Sequence, residues 1–187
     1  MELGVFPLPI FLLPGGKAKL RIFEPRYIRL VKESFSNGGF VLSIFDKNQS
    51  FNTNKSGVIV DIVNFDTLDD GLLSIDVQAK ELVTLSNPQL EHDGLLKAEI
   101  KKMKHWTNEA KTNSLENKSD MVVFLKNAFL QSSHLNQLYD EKKLEDTVWV
   151  CARILEILPI TALNKSKINT LSFEQCQNFM HTIIKGK

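Results

Sequence analysis

Cysteine is scarce in this sequence of 187 residues, which contains only Cys151 and Cys176. Two cysteines cannot staple a fold of this size, so the disulfide-rich class of small secreted proteins is excluded. Both fall at apolar positions of helical patterns, where a free thiol behaves as a small hydrophobic group. We therefore expect two reduced, buried thiols; the alternative, which the pattern leaves open, is a disulfide or a reactive thiol.

Long apolar runs are also absent. No stretch approaches the roughly 18 apolar residues that a membrane-spanning helix needs. The N-terminus is not typical of a secretory signal, because Glu2 precedes the apolar stretch and Pro7 and Pro9 interrupt it. The sequence therefore predicts a cytoplasmic protein that does not bind a membrane.

Neither sign of charge is in excess. The 23 lysines and arginines against 22 aspartates and glutamates give a formal net charge of +1, which argues against a general polyanion-binding protein. An apolar content of 43% and a charged content of 24% are typical of a soluble globular protein. At about 100–200 residues per domain, the length allows one domain or two small ones. It is too short for an ATPase, a peptidase and a recognition module together.

Catalytic constellations are missing as well. The four histidines are scattered, without a Cys-x-x-Cys or an i, i+4 histidine pair, so no zinc site is predicted. The Gly-Gly-Lys run at residues 15–17 does not fit a phosphate-binding loop, because Phe11 replaces the first glycine and Ala18 the final serine or threonine. No G-x-S-x-G nucleophile motif occurs. We predict a protein that is not an enzyme, with no catalytic residue, cofactor or metal.

Residues 1–105 have the pattern of a β-rich domain with about five or six strands, since short apolar runs are separated by Gly, Asn and Asp clusters. Strict alternation is clearest over residues 73–79 and 96–100. One helix is expected between Pro25 and Gly38, where apolar residues recur at helical spacing. Three shorter apolar runs are also expected to be strands, at residues 41–45, 58–63 and 82–85.

Residues 106–118 are polar and predict a linker, and residues 119–187 follow a helical period. Three or four helices are expected to form a bundle. Their expected N-terminal caps are Ser119 or Asp120, Asp146 or Thr147, Thr161 and Ser172. The predicted fold class is α+β, with a β domain followed by a helical bundle.

Three N-terminal segments stand out because proline and glycine punctuate apolar residues: Phe6-Pro7-Leu8-Pro9, Phe11-Leu12-Leu13-Pro14-Gly15-Gly16 and Leu20-Arg21-Ile22-Phe23-Glu24-Pro25-Arg26-Tyr27. Together they resemble the opening of the Lon protease N-terminal, substrate-binding domain, in particular the stand-alone Lon-domain proteins of bacteria. The fold-signature residues of this resemblance are Pro14, Gly15, Gly16, Phe23, Glu24, Pro25, Arg26 and Tyr27. Later matches at residues 70–75 and 158–159 extend the resemblance over nearly the whole chain.

The resemblance implies a PUA-like β pseudo-barrel followed by a helical bundle. It also implies a non-catalytic module that binds polypeptides, either unfolded chains or a specific partner protein. The proteolytic activity of full-length Lon is not implied, because these residues match neither its ATPase nor its peptidase part. The chain departs from the family at Ala79, where a glycine is common, and at Leu82-Val83, where an Arg-Phe pair is common.

Phe51 is the candidate peptide-binding residue, because it is the one apolar residue of the polar loop at residues 46–57. Such a ring either tucks inward or faces a partner, and the sequence favours the tucked orientation. In the outward orientation it would act as an apolar anchor beside exposed strand edges, to which an extended peptide can add.

RNA binding is the alternative function, because PUA-like barrels in other proteins hold RNA. Positive charge beside an aromatic ring is the combination that single-stranded nucleic acid exploits. The candidate patch consists of Lys97, Lys101, Lys102, Lys104 and, with His105 before it, Trp106. A solvated strand edge that runs into a linker explains the same residues and is the simpler interpretation.

Overall fold

The computed structural model describes residues 1–108 and 118–186, which form two units, Met1–Lys104 and His105–Lys187. Most of the predicted linker, residues 109–117, lies outside the described residues. The first unit is a six-stranded sheet with one long helix, and the second consists of helices. The predicted α+β class is therefore confirmed.

The sheet of the first unit has the strand order β2-β5-β4-β3-β1-β6, and an additional pairing of β5 with β6 closes it into a ring. Its elements are β1 (Glu2–Leu8), β2 (Lys17–Ile22), α1 (Pro25–Asn37), β3 (Phe40–Phe45), β4 (Thr53–Thr67), β5 (Leu73–Leu90) and β6 (Leu96–Lys102). The ring is the pseudo-barrel that the resemblance implies. Inward side chains such as Val5, Val41 and Val83 are fully buried at its centre.

Strand β5 is continuous over 18 residues, where the sequence predicted two shorter strands. Its first half pairs with β2 and its second half with β6, while β4 runs beside most of its length. Two register shifts in the β4–β5 ladder, at Ile59/Val60 and Ile62/Asn64, are β-bulges. Bulges bend a strand and increase its twist, so one long strand can join both sides of the ring.

Strand β1 was not among the predicted strands, because prolines are unusual within a sheet. Residues 2–5 of β1 pair with β6, and residues 5–8 pair in parallel with β3. Pro7 thus lies in the half of β1 that has a partner on one side only. A residue without an N–H is tolerated there, because the other side of the strand needs no donor.

The Leu-Pro-Gly-Gly segment before β2 forms a tight turn. The Gly16 N–H donates to the Leu13 carbonyl at 2.8 Å, and Gly15 has a φ of 82°. Proline followed by a glycine with positive φ is the signature of a type II turn. The turn then joins β5, because Gly15 donates to the Ala79 carbonyl and Ala79 donates to the Gly16 carbonyl, both at 2.8 Å.

Helix α1 begins with Pro25 in its first turn and ends at Gly38, whose φ of 76° is left-handed. Its buried side chains are Tyr27, Leu30, Val31 and Ser34. Phe35, which recurs at helical spacing with Tyr27 and Val31, is exposed. The reason is that Ser34 occupies the core-facing position and donates its hydroxyl to the Val31 carbonyl at 2.7 Å.

The second unit contains α2 (Lys118–Gln131), α3 (Ser133–Gln137), α4 (Thr147–Ile157), α5 (Ala162–Asn169) and α6 (Phe173–Lys185). The predicted caps Asp146, Thr161 and Ser172 are confirmed, and Ser172 forms a capping box with Gln175. Helix α2 begins at Lys118, before the expected caps. Helix α3 was not predicted; its five residues are too few for a helical period to register.

The core of the second unit is aromatic and contains a buried ion pair. The rings of Phe129, Tyr139 and Trp149 contact one another with centroids 5.7–6.4 Å apart. The Arg153 guanidinium forms a two-pronged ion pair with Glu156, with both N–O distances at 2.7 Å. A buried guanidinium requires such a partner, because its desolvation is costly.

Two glycines give a test of the packing. A Cβ at Gly57 would lie 2.6 Å from the Leu42 carbonyl oxygen, whereas one at Gly4 would meet only the Leu30 side chain, 2.2 Å from its Cδ1. The Leu42 backbone is fixed in the sheet and cannot easily move away from an added Cβ, whereas the end of the Leu30 side chain can. We expect Gly57→Ala to lower the free energy of unfolding by about 2–3 kcal/mol and Gly4→Ala by roughly 1 kcal/mol, measured by urea denaturation. Equal losses would contradict this packing.

Candidate functional site

Two aromatic side chains are exposed at the β3–β4 hairpin, one in its loop, residues 46–52, and one at the end of β3. Phe51 is 42% exposed and Phe45, at the end of β3, is 44% exposed. The expectation that Phe51 tucks inward is therefore wrong. We call Phe45 and Phe51 the aromatic tip.

Backbone geometry explains why Phe51 faces outward. Phe51 and Asn52 both adopt left-handed backbone, with φ of 58° and 54°. Such a conformation strains a residue with a bulky side chain. It is imposed by the loop's own hydrogen bonds, from the Asp46 N–H to the Asn52 carbonyl at 3.0 Å and from the Asn52 N–H to the Gln49 carbonyl at 3.1 Å. The loop is thus a tight turn that presents the ring.

The base of the loop is fixed to the barrel. Phe45 is paired with Thr53 across the hairpin. The hydroxyls of Ser43 and Thr53, both buried, are hydrogen-bonded at 2.5 Å. A change of register would break this bond and leave both hydroxyls buried without a partner, which is costly. The bond therefore holds the two strands in register. The aromatic tip therefore stands on a rigid support.

The fold-signature residues hold α1 in place. Arg26 forms an ion pair with Glu24 at 2.7 Å and donates to the Gly94 carbonyl at 3.2 Å. Tyr27 stacks on Phe6 with ring centroids 3.7 Å apart, and burial raises the pKa of its hydroxyl. These contacts tie the start of α1 to β1 and to the β5–β6 turn, which is a structural role.

Phe23 differs from the other signature residues, because its ring is exposed at the end of β2. Pro14, Gly15 and Gly16 form the turn described above. No described contact assigns Phe23 a structural role.

Lys97 is part of an ionic network between α1 and the β5–β6 turn. Its ammonium lies 3.1 Å from the Glu33 carboxylate and 3.2 Å from that of Glu91. Arg29 bridges the same groups, since it contacts Glu91, Glu33 at 2.6 Å and Asp93 at 3.0 Å. Lys97 is therefore neutralised within the fold.

The acidic members of this network are held in the charged form. Partial burial would raise the pKa of Glu91, but hydrogen bonds from Arg29 and Lys97 outweigh it and lower the pKa. The Leu95 N–H is the main cause of the lowered pKa of Asp93, and Arg29 lowers it further. Bonds to the ionised form favour that form.

The structure does not assemble the predicted RNA patch. Trp106 is only 5% exposed and packs against Phe173 with centroids 5.2 Å apart, so its ring is not available to stack on a base. His105 is hydrogen-bonded to the Asn169 carbonyl at 3.0 Å.

Lys102 forms an ion pair with Glu81 at 2.8 Å. The predicted patch is wrong at Lys97 and Trp106, and only Lys101 and Lys104 remain as exposed cations without a described partner.

Cys151 and Cys176 are free and buried, which confirms the expected reduced thiols. Burial raises the pKa of Cys151 to about 12 and that of Cys176 to about 11. Cys176 also donates its thiol to the Ile168 carbonyl at 3.2 Å. At neutral pH both groups are protonated, and a protonated thiol is a poor nucleophile.

Over residues 1–108 and 118–186, no group of three or more His, Cys, Asp or Glu side chains is placed to hold a metal ion. Within the same ranges, no helix has the length and apolar character needed to cross a membrane.

Comparison with protein families decides the relationship. The family described as the ATP-dependent protease La (LON) substrate-binding domain matches residues 2–175. The chain belongs to this family. The Lon substrate-binding domain thus occupies nearly all of the chain, and no ATPase or peptidase domain is found in it. A comparison with curated proteins gives no significant match.

Two solved Lon domains have the same fold over nearly their whole length. One is the Lon N-terminal domain protein from Xanthomonas campestris, with 21% identity, a TM-score of 0.73, and coverage of 96% of this chain and 97% of that one. The other is the N-terminal domain of the Mycobacterium avium complex Lon protease, with 16% identity, a TM-score of 0.67, and coverage of 99% and 98%. At these identities the likeness establishes the fold alone.

The ionic network predicts acid sensitivity. Glu91 and Asp93 have pKa values below their ordinary values of 4.5 and 3.8. A carboxyl group whose pKa is lower in the folded than in the unfolded protein stabilises the fold at pH values above its unfolded-state pKa. This stabilisation is lost as the pH falls through the folded-state pKa. We expect the free energy of unfolding, measured by circular dichroism in urea, to fall below about pH 4. Arg29→Met should reduce this fall, and exposed Lys55→Met should leave it unchanged; equal falls would contradict the role of Arg29.

The raised thiol pKa values predict slow labelling. At pH 8 the thiolate fraction of Cys176 is about one in a thousand, and that of Cys151 is lower still. We expect a thiol reagent such as dithionitrobenzoate to react only as the second unit unfolds. Labelling should therefore rise with urea in parallel with the fluorescence change of Trp106 and Trp149, both of which lie in that unit. Rapid labelling of the native protein would contradict the described burial.

Proposed function

We propose that this chain is a non-catalytic module that binds polypeptides. The family to which it belongs is described as a substrate-binding domain of an ATP-dependent protease, and a protease substrate is a polypeptide. Neither the ATPase nor the peptidase domain is found in these residues. We therefore expect the chain to bind polypeptides without cleaving them.

The observation that carries the proposal is the aromatic tip. Phe51 is exposed at the cost of a left-handed backbone, and strain of this kind is concentrated at functional sites. Phe45 adds a second half-exposed ring at the base of the same loop. Aromatic side chains are the usual anchors of protein interfaces, since they bury a large area with few rotatable bonds.

An aromatic anchor suits an unfolded polypeptide as a ligand. An unfolded chain differs from a folded one in that it exposes many apolar side chains, and these bind favourably to apolar surface. Covering the exposed part of one ring contributes on the order of 1–2 kcal/mol. We therefore expect weak binding by each ring, strengthened where both Phe45 and Phe51 are covered.

RNA binding receives no comparable support. Base stacking would need an exposed aromatic ring beside the lysines, and Trp106 is buried. Lys97 and Lys102 are already neutralised by carboxylates.

Phe51→Asn tests the proposal, because asparagine tolerates left-handed backbone. We expect the Kd for a labelled, reduced and alkylated model protein that cannot refold to rise roughly three- to tenfold. The free energy of unfolding should stay within about 1 kcal/mol of the parent value, since relieved strain offsets lost burial. Fluorescence anisotropy gives the Kd and urea denaturation the stability.

Phe35→Asn is the control, because Phe35 is also an exposed phenylalanine but lies on α1. It should leave the Kd unchanged. The absence of any saturable binding to the unfolded model protein would overturn the proposed function.

A further inference from the structure

The C-terminal half of β4 is an unpaired sheet edge. Strand β4 pairs with β3 at residues 53 and 57–60, whereas residues 61–67 pair only with β5. We call residues 61–67 the β4 edge. Its outer side presents backbone N–H and C=O groups that no described strand satisfies, and such a row is a template for another strand.

The other edges of the sheet carry protective features. Strand β2, which forms the opposite edge, carries Lys17, Lys19 and Arg21 at alternate positions. The half of β1 that lacks β6 carries Pro7. Lysine and proline on an edge strand are among the usual means by which proteins prevent strand addition.

The β4 edge has neither lysine nor proline, and its apolar side chains face solvent. Phe65 is 67% exposed and Val63 is 47% exposed. The bulge at Ile62/Asn64 sets Val63 out of the regular ladder, as bulges re-aim side chains. Aromatic and β-branched residues stabilise cross-strand pairs, so both side chains suit an added strand.

The charge beside this edge is negative. Asp61 is neutralised by Lys80 at 3.0 Å, and Asp70 by Arg21. Asp66 and Asp69 lie at the end of β4 and in the following turn, and among the described residues neither has an ion-pair partner. Two uncompensated carboxylates favour a strand that carries lysine or arginine.

We propose that the β4 edge binds an extended polypeptide segment with basic residues among aromatic or β-branched ones, and that the segment adds to the sheet as a further strand. Main-chain hydrogen bonds would supply affinity, while Phe65, Val63 and the carboxylates of Asp66 and Asp69 would supply selectivity. This inference rests on the proposed function and assigns it a second surface, separate from the aromatic tip.

Charge argues against a second copy of the chain as the occupant. Antiparallel pairing of two β4 edges brings the Asp66 and Asp69 carboxylates of both copies into one interface. The second copy would bring no uncompensated lysine or arginine on its own β4 edge to offset them. Like charges gathered in one interface disfavour the pairing.

The test uses the full chain and a ten-residue fluorescent peptide that alternates valine or phenylalanine with lysine. We expect Phe65→Ser to raise its Kd about tenfold, and Asp66→Asn with Asp69→Asn to raise it about threefold and to weaken its dependence on salt. A peptide with alternate N-methylated amides should not bind, because it cannot form the ladder. Phe35→Ser is the matched control, since Phe35 is 66% exposed but lies on a helix.

Circular dichroism should confirm that each variant is folded. Unchanged affinity of Phe65→Ser, or equal binding of the N-methylated peptide, would overturn the inference while leaving Phe51-dependent binding of unfolded protein intact. A dimer in sedimentation that Phe65→Ser abolishes would identify a second copy as the occupant and also overturn it. Failure of both the peptide and the unfolded model protein to bind would instead remove the proposed function.

Discussion

Closure of the sheet through β5 is the constraint on which the first unit depends. This one strand pairs with β2, β4 and β6, so the ring exists only while it bends far enough to reach both sides. The two β-bulges in the β4–β5 ladder supply that bend. Strand β3 begins at Phe40, opposite Val60, so residues 61–67 of β4 extend beyond β3 and have no second neighbour. The closed ring therefore has an open edge along the half of β4 that β3 does not reach.

The N-terminal signature and the surfaces proposed for binding are separate parts of the molecule. Pro14 to Gly16 form a turn on β5, while Glu24 and Arg26 fasten α1 to the β5–β6 turn. These residues identify the fold because the fold needs them. Phe51 and Phe65, the residues proposed to bind, are exposed, and exposed side chains can differ where partners differ.

Sequence patterns predicted what local chemistry determines. The caps Asp146, Thr161 and Ser172 act on the adjacent turn, and the strand at residues 96–100 follows a simple alternation. Sequence patterns did not predict the local structure where residues distant in the chain determine it. Pro7 is accepted in β1 because β6 begins at Leu96, opposite Val5, and does not reach Pro7. Trp106 is buried against Phe173, 67 positions further along the chain. Phe51 faces outward because of hydrogen bonds within a loop whose backbone no spacing rule describes.

The pairing of β1 with both β3 and β6 has a consequence for biosynthesis. Leu3 lies opposite Ala98, so the first strand of this unit pairs with its last strand. Contacts of such long sequence separation slow folding. Until β6 has been translated, residues 2–5 have no partner strand on that side, and the sheet cannot close into a barrel. The first unit can therefore close only after residue 102 has been translated, and chains with unpaired strand edges are prone to misassembly until then.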